Sequence, residues 1–280
     1  MLHYQTYHIG DEKDWVVFLH GLGGNSRIWY KQLPAYRNRF NLLLIDFFGH
    51  GQSTGTRDRY SFESLAIEVT RVMDHLGIES AHVIGISLGT IIQNALARVA
   101  PDRIKSMVLG GGVMGYDNRS NFLLKFGGTL KSIVPYMWLY RFFAFIMMPR
   151  KNHRMSRSIF IREARKLGGR EFCKWYRLME RLTGFYSRFN RKADRIPRLF
   201  ISGSQDHLFL PLVKSYCSTD PLAALHVVDK CGHVCNIEQP DEFNDISIRF
   251  FKFGINRPAS LADAAPAKTR HLPIRACAHP

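Results

Sequence analysis

The sequence predicts an α/β fold with a mostly parallel sheet and helices on both of its faces. Near-continuous apolar runs of strand length recur along the chain, and segments with helical spacing separate them. Such strands are buried on both sides, which is typical of parallel sheets covered by helices. Glycine-rich turns follow several of these runs, where the chain leaves a strand for the next helix.

Individual elements follow from the same pattern. We expect strands at residues 15–19, 40–45, 81–84, 106–110, 198–202 and 225–228. We expect helices at residues 61–76, from 90 to about 99, and at 241–253. The first helix has apolar side chains along one face, at Phe62, Leu65, Val69, Val72, Met73 and Leu76.

Residues 116–195 interrupt the alternation, because they contain several helical segments and no strand. A helical insertion between two strands is the layout of a lid over an active site. We therefore expect a core formed by residues 1–115 and 196–254, with residues 116–195 as a basic helical lid. Residues 255–280 are rich in alanine and proline and lack periodicity, so we expect a disordered tail.

The composition is that of an ordinary globular protein, with 46% hydrophobic and 22% charged residues. We find no basic and apolar segment of the kind that forms a signal peptide at the N-terminus. The longest apolar run, residues 133–148, contains Pro135 and Arg141 and is too short to cross a bilayer. Together with an odd set of five cysteines, these features predict a cytoplasmic protein with reduced thiols.

The most informative motif is Gly85-Ile86-Ser87-Leu88-Gly89, which lies between a predicted strand and a predicted helix. Glycine at both ends lets the backbone turn sharply, so that the serine is held on the rim of the sheet. This strand, turn and helix context is what distinguishes a nucleophile elbow from a chance match to G-x-S-x-G. Ser87 is therefore the candidate nucleophile.

The chain resembles the α/β-hydrolase superfamily, in particular its lidded, esterase-like members, over roughly residues 10–253. The resemblance rests on His20-Gly21-Leu22-Gly23-Gly24, the turn at residues 46–53, the elbow at Ser87, and two late segments at residues 203–206 and 231–233. The late segments supply an aspartate and then a histidine, so the order serine, aspartate, histidine is the one that this superfamily uses.

The resemblance implies a catalytic triad of Ser87, Asp206 and His233. His233 would accept the serine proton as a general base, and Asp206 would hold the imidazole in the required tautomer. The backbone N–H groups of Leu22 and Leu88 would form the oxyanion hole. No cofactor or metal is expected for this chemistry.

Three further residues are candidates for related roles. Asp46 is expected in a structural turn, His20 is expected to shape the oxyanion loop, and Asp117 is the alternative acid if Asp206 is misplaced. Cys231 and Cys235 flank His233, but a zinc ion there would need a fourth ligand and would occupy the base, so we do not expect a metal site.

A serine at the elbow forms an acyl-enzyme, which predicts a hydrolase of carboxylic esters with an acyl chain held under the lid. Thioesters presented by an acidic carrier or by CoA, lactones, C–C bond hydrolysis and perhydrolysis remain open, because related folds use the same triad for them. From a different class, a slow-turnover ligand sensor and a membrane-surface binding protein also remain open.

The positive charge of the chain is concentrated in the predicted lid. Residues 116–195 contain 19 Lys and Arg against 5 Asp and Glu. This segment therefore carries +14 of the chain's net charge of +16. A basic stripe with helical spacing is formed by Arg170, Lys174, Arg177, Arg181 and Arg188. This stripe is interpreted as a solvated helix face or as a binding surface for an acidic carrier protein, CoA or an anionic membrane. Nucleic acid is disfavoured as a partner, since no recognition motif is present.

Residues 136–148 are aromatic and apolar, with Trp138, Phe142 and Phe145 as candidate substrate contacts in the lid. They are expected to line an acyl-chain tunnel, to rest at a lipid interface, or to pack on the core. The sequence does not decide among these three.

Overall fold

The computed structural model describes residues 1–54, 58–131, 133–187 and 195–255. Across these ranges a seven-stranded sheet has the order β1-β3-β2-β4-β5-β6-β7, with β1 antiparallel and the other strands parallel. The strands are β1 His3–Tyr7, β2 Trp15–Leu19, β3 Asn41–Asp46, β4 Ala81–Ile86, β5 Ile104–Gly110, β6 Arg198–Gly203 and β7 Ala223–Val228. The predicted fold class, a mostly parallel sheet with helices on both faces, is confirmed.

The sequence pattern misses β1. This strand lies at the sheet edge beside β3, and its residues are half-buried or exposed rather than continuously apolar. An edge strand with little apolar character gives no run of the kind that indicates a central parallel strand.

Helices cover both faces of the sheet. They are α1 Leu33–Tyr36, α2 Phe62–His75, α3 Leu88–Val99, α4 Asn118–Leu130, α5 Tyr136–Met147, α6 Arg154–Ala164, α7 Gly169–Met179, α8 Leu182–Ser187, α9 Leu210–Cys217, α10 Cys235–Glu238 and α11 Pro240–Phe253. Alternate residues of β2 enter two separate hydrophobic clusters: Val17 packs with the α2 and α3 layer, whereas Phe18 packs with the α1 and α11 layer. Both clusters are fully buried, so the sheet forms the rigid centre of the molecule.

Helices α4 to α8 form a helical insertion between β5 and β6, and no strand interrupts it within the described residues. The insertion packs on the core through buried aromatic side chains such as Phe172 and Trp175, and the Trp175 indole donates a hydrogen bond of 3.2 Å to the Phe48 carbonyl. Its use as a lid stays a prediction. Apart from Ile255, the expected disordered tail lies outside the described residues.

In the described parts of the chain, no helix is both long and apolar enough to cross a membrane. The apolar helix α5 has 12 residues.

Candidate active site

Ser87 lies at the junction of β4 and α3 in a strained backbone conformation. Its φ of 54° and ψ of −113° are unusual for a residue with a side chain. The neighbouring glycines are required by close backbone approach, because a Cβ on Gly89 would lie 2.1 Å from the Leu19 carbonyl oxygen and one on Gly85 would lie 2.7 Å from the carbonyl carbon of Gly89. These contacts hold the serine side chain above the carboxyl edge of the sheet.

The structure brings Ser87, His233 and Asp206 together. The distance from Ser87 Oγ to His233 Nε2 is 2.9 Å, and that from His233 Nδ1 to Asp206 Oδ2 is 2.8 Å. Both His233 and Asp206 are buried, each with 1% of its surface exposed. The imidazole is therefore positioned to accept the hydroxyl proton on one nitrogen while its other N–H donates to the carboxylate.

Two loops that follow different strands must approach closely to form this arrangement. Asp206 follows β6, and His233 follows β7. A Cβ on Gly203 would lie 2.1 Å from the Cys231 carbonyl oxygen, and one on Gly111 would lie 2.3 Å from the carbonyl oxygen of His233. Glycine at positions 203 and 111 thus allows the backbone contacts that place the acid and the base.

The segment predicted to carry an oxyanion donor lies directly against Ser87, since a Cβ on Gly21 would be 3.4 Å from Ser87 Cβ. His20 fixes the base of this loop: its Nε2 accepts from the Phe47 N–H at 3.0 Å, and its Nδ1 donates to the Gly21 carbonyl at 2.8 Å. Burial lowers the pKa of His20 and keeps it neutral. These contacts place His20 in the loop-shaping position that the sequence predicts.

The two proposed oxyanion donors lie in the same region. Leu22 and Leu88 both border a cavity that contains Ser87. The Leu88 N–H belongs to the first turn of α3, where backbone N–H groups have no intrahelical acceptor. The Leu22 carbonyl accepts a hydrogen bond of 2.7 Å from the Tyr140 hydroxyl, so helix α5 of the insertion contacts the oxyanion loop.

The alternative carboxylates have other partners. Asp46 accepts from the Ser26 N–H at 2.7 Å and from the Gln52 N–H at 2.9 Å, as a structural turn requires. Asp117 caps α4 by accepting from the Ser120 N–H at 2.7 Å, and hydrogen bonds from the Ser120 hydroxyl and this N–H lower the pKa of Asp117. Because Asp206 occupies the Nδ1 side of His233, Asp117 is not the acid in this geometry.

A cavity of about 130 Å³ opens beside Ser87. Most of its walls come from the insertion, including Phe143, Ile146 and Met147, and the core adds residues such as Leu208 and Phe209. Apart from Ser87 and Ser120 the lining is apolar or aromatic. The Tyr140 and Tyr176 hydroxyls donate to backbone carbonyls, so mainly their rings face the cavity. The site can therefore hold an apolar group next to the serine.

The three expected lid contacts do not line this cavity. Trp138, Phe142 and Phe145 are 69%, 44% and 54% exposed. They occupy one side of α5, and the cavity is lined by residues on its other side. The expectation that they line an acyl tunnel is corrected, because the helix is apolar on both sides and the sequence does not reveal which side faces inward.

A second, smaller cavity of about 30 Å³ also contacts Ser87 and includes His233. Its walls include Gly21, Ile86 and Ile237 from the core, with Ser156 and Glu163 from the insertion. Ser87 thus borders two cavities of different size.

The predicted basic stripe is not one continuous helix face. Helix α7 ends at Met179, so Arg181 lies in the turn before α8, and Arg188 lies outside the described residues. Arg170, Arg177 and Arg181 are exposed, but Lys174 is half-buried and paired with Glu171 at 2.7 Å.

The cysteines beside His233 are buried thiols. In the ranges that the structure describes, no group of three His, Cys, Asp or Glu side chains is arranged to hold a metal ion. Cys231 and Cys235 are both free, and the neighbouring Cys235 together with burial raises the pKa of the Cys231 thiol.

The sequence gives no sign of a further contact between the insertion and the catalytic loops. His153 is fully buried, and its Nε2 lies 2.7 Å from Oε1 of Gln205, the residue before Asp206. The Asn152 side chain donates to the same oxygen at 3.0 Å and to the Lys230 carbonyl at 2.8 Å. These residues tie the insertion to both loops, and only the folded structure brings them together.

Comparison with known proteins gives the same fold. A family model for the alpha/beta hydrolase fold matches residues 14–127. A putative carbamate hydrolase RutD of Azorhizobium caulinodans is 28% identical over 261 residues, covering 89% of this chain and 94% of the relative.

Two solved structures show the likeness in three dimensions. MGS-M2, an alpha/beta hydrolase from a Medee basin deep-sea metagenome library, has a TM-score of 0.75 at 21% identity and covers 92% of this chain and 97% of its own. Est816, described as an N-acyl homoserine lactone degrading enzyme, has a TM-score of 0.73 at 20% identity. The match covers 89% of this chain and 96% of Est816. At these identities the solved structures establish the shared fold and nothing about substrate.

Proposed function

We propose that this chain, a member of the α/β-hydrolase superfamily, is a serine hydrolase that cleaves carboxylic esters of apolar acyl groups through an acyl-enzyme intermediate. The observation that carries the proposal is the contact of Ser87 Oγ with His233 Nε2 at 2.9 Å, on a strained elbow that opens into an apolar cavity. A lone serine is a weak nucleophile, and this contact supplies the base that it needs.

The reaction proceeds in two halves. Ser87 Oγ attacks the ester carbonyl carbon while its proton passes to His233 Nε2, and the N–H groups of Leu22 and Leu88 stabilise the oxyanion. The C–O bond to the alcohol then breaks, and His233 returns the proton to the departing oxygen. A water molecule, activated by His233, attacks the acyl-enzyme and releases the acid and Ser87. One oxyanion donor typically contributes about 3–4 kcal/mol.

The two cavities support an assignment of the two halves of the substrate. The larger cavity, with its apolar and aromatic walls, suits the acyl chain, and the smaller one beside His233 suits a compact alcohol. Esters, lactones, thioesters and carbamates share the attacked carbonyl, and the apolar lining favours a substrate with a hydrocarbon acyl group.

The reaction needs no cofactor, and we place it in a reducing, cytoplasmic compartment. The free, buried thiols of Cys231 and Cys235, which lie close to His233, support this location.

A test uses p-nitrophenyl esters of graded acyl length with the purified chain. A burst of p-nitrophenol followed by steady turnover is expected, and Ser87→Ala should abolish both while a fluorophosphonate probe no longer labels the protein. Ser120→Ala is the matched control, because Ser120 lines the same cavity and should still allow labelling.

Labelling that survives Ser87→Ala would overturn the proposal. A single slow turnover with a large rise in melting temperature would assign the chain to the ligand sensors. A preference for lactone, thioester, diketone or carbamate in a parallel substrate panel would keep the triad but replace the ester.

A further inference from the structure

Helix α5 presents apolar residues to the protein and to solvent at the same time. Tyr140, Phe143 and Ile146 line the cavity, whereas Trp138, Phe142 and Phe145 are largely exposed on the opposite side. A helix that covers a core normally has a polar outer face. Three exposed aromatic residues at positions i, i+4 and i+7 are therefore not explained by folding.

Helix α4 repeats the pattern beside it. Phe122 and Phe126 are 68% and 45% exposed, and their rings stack with centroids 6.3 Å apart. The two helices are neighbours, because a Cβ on Gly127 of α4 would lie 2.6 Å from the Phe143 ring of α5. We call the five exposed aromatic residues the outer aromatic face; they are Phe122, Phe126, Trp138, Phe142 and Phe145.

Cationic side chains accompany this face. Lys125 on α4 and Arg141 on α5 are exposed, and the Arg157 guanidinium of α6 lies 4.3 Å from the centre of the Phe145 ring. Residues 116–165 contain ten Lys and Arg but only two acids, Asp117 and Glu163. Asp117 caps α4, Glu163 is buried and paired with Arg162 and Lys166, and Glu180, directly after α7, pairs with Lys131. These acids therefore have partners other than Lys125, Arg141 and Arg157.

We propose that the outer aromatic face docks the protein on an anionic lipid surface. Clustered exposed apolar residues mark interaction sites, and aromatic residues combined with Arg and Lys are the composition of helices that lie in a membrane interface. Trp is favoured at that depth. The 12 residues of α5 span about 18 Å, well short of a bilayer core, so the helix lies along the surface.

An acidic protein partner would explain the cations but not the largely solvated rings of Phe122 and Trp138. Anionic lipid accounts for both features, since the cations meet headgroups while the rings enter the acyl boundary. The same two helices line the cavity with their inner sides, so docking would also bring the cavity close to lipid-borne esters. That last step rests on the proposed function; the docking itself does not.

The test is flotation of the full chain with vesicles of phosphatidylcholine, with and without phosphatidylserine. Flotation is expected with the anionic vesicles and should weaken as salt rises. Of the four tryptophans, Trp29 and Trp175 are buried and Trp138 is the most exposed, so binding should shift the Trp138 emission to the blue and allow quenching by acyl-brominated lipid.

Replacing Trp138, Phe142 and Phe145 together by serine should reduce vesicle binding about tenfold or more, because the variant loses three apolar side chains that would be buried in the acyl boundary. The matched control replaces Tyr30 and Ile67, which are 48% and 43% exposed elsewhere on the surface, and should bind as the wild type does. Circular dichroism of every variant checks the fold. Ser87→Ala should bind fully, which separates docking from catalysis.

Absence of flotation, or flotation that survives the triple serine variant, overturns the proposal. Equal flotation with neutral and anionic vesicles overturns the requirement for anionic lipid. Retention on immobilised polyglutamate without vesicle binding would assign the face to an acidic protein instead.

Discussion

The sheet core and the helical insertion contribute to the surroundings of Ser87 in different ways. The core sets the site with its backbone: Ser87 has a φ of 54°, and Gly89 and Gly203 each approach a carbonyl oxygen so closely that a Cβ would lie 2.1 Å from it. The insertion reaches the site mainly with side chains, such as the Tyr140 hydroxyl on the Leu22 carbonyl and the walls of the larger cavity.

This difference predicts that the core determines the chemistry and the insertion the substrate selectivity. A backbone that admits only glycine at defined positions allows little variation, so the core is suited to hold the reacting groups. Side chains on helices can change size without disturbing the sheet. Substitutions in the core should therefore affect turnover of all substrates, and substitutions in the insertion should affect some substrates more than others.

The largest effect is expected for Asp206→Asn. An amide cannot hold the tautomer of His233 that accepts the serine proton, so kcat should fall by about 10⁴-fold while the melting temperature changes little. Asp117→Asn is the matched control, because asparagine still caps a helix and this variant should keep full activity. Steady-state kinetics on one p-nitrophenyl ester measures both, and a loss confined to Asp117→Asn would reverse the assignment of the acid.

The second effect is loss of stability of the core in acid. Burial lowers the pKa of His82 from 6.5 to about 4, so the folded state excludes a proton that the unfolded state binds. The contribution of neutral His82 to the free energy of unfolding is complete above pH 6.5 and is lost as the pH falls towards 4. The shift corresponds to about 3 kcal/mol. Burial also lowers the pKa of His20 and His50, which adds to the loss.

Urea unfolding between pH 7 and 4 measures this loss of unfolding free energy. His82→Asn should flatten the pH dependence, because the variant has no imidazole at this buried position. A pH dependence identical in wild type and His82→Asn would show that the imidazole is not excluded from protonation in the folded state.

The third effect concerns acyl-chain length. Leu124 on α4 lines the larger cavity, so Leu124→Trp should lower kcat/KM for long acyl esters by about tenfold or more and leave the shortest ester nearly unaffected. Thr129→Trp, on the exposed side of the same helix, is the control. Equal loss for short and long esters would mean that the acyl chain does not enter this cavity.

The contrast between core and insertion also explains what the sequence could predict. The elbow is recognisable in the sequence, because the backbone turn requires glycine at positions 85 and 89. Asp206 and His233 are recognisable from their places after two predicted strands. The sheet followed from its apolar central strands. Edge strand β1 was missed because it lacks such a run.

In the insertion, the spacing of apolar and charged residues predicted less of the structure. Helix α5 is apolar on both sides, so the sequence did not reveal that Phe143 faces inward and Phe142 outward. The charge spacing continued from Lys174 to Arg181 although the helix ends at Met179. Contacts such as that of His153 with Gln205 join segments 52 residues apart and are set by tertiary packing alone.

The smallest effect tests whether the insertion also assists the chemistry. The Tyr140 hydroxyl donates to the Leu22 carbonyl at 2.7 Å, and a Cβ on Gly23 would lie 2.3 Å from that hydroxyl, so Tyr140 holds the loop of the proposed oxyanion donor. Tyr140→Phe removes one hydrogen bond of about 1 kcal/mol and should lower kcat about fivefold with KM unchanged, because the donor acts in the transition state. Tyr136→Phe is the matched control, since its hydroxyl donates to the Arg165 carbonyl, away from the loop. A change in KM alone would restrict Tyr140 to shaping the cavity, and the division between a catalytic core and a selective insertion would then be complete.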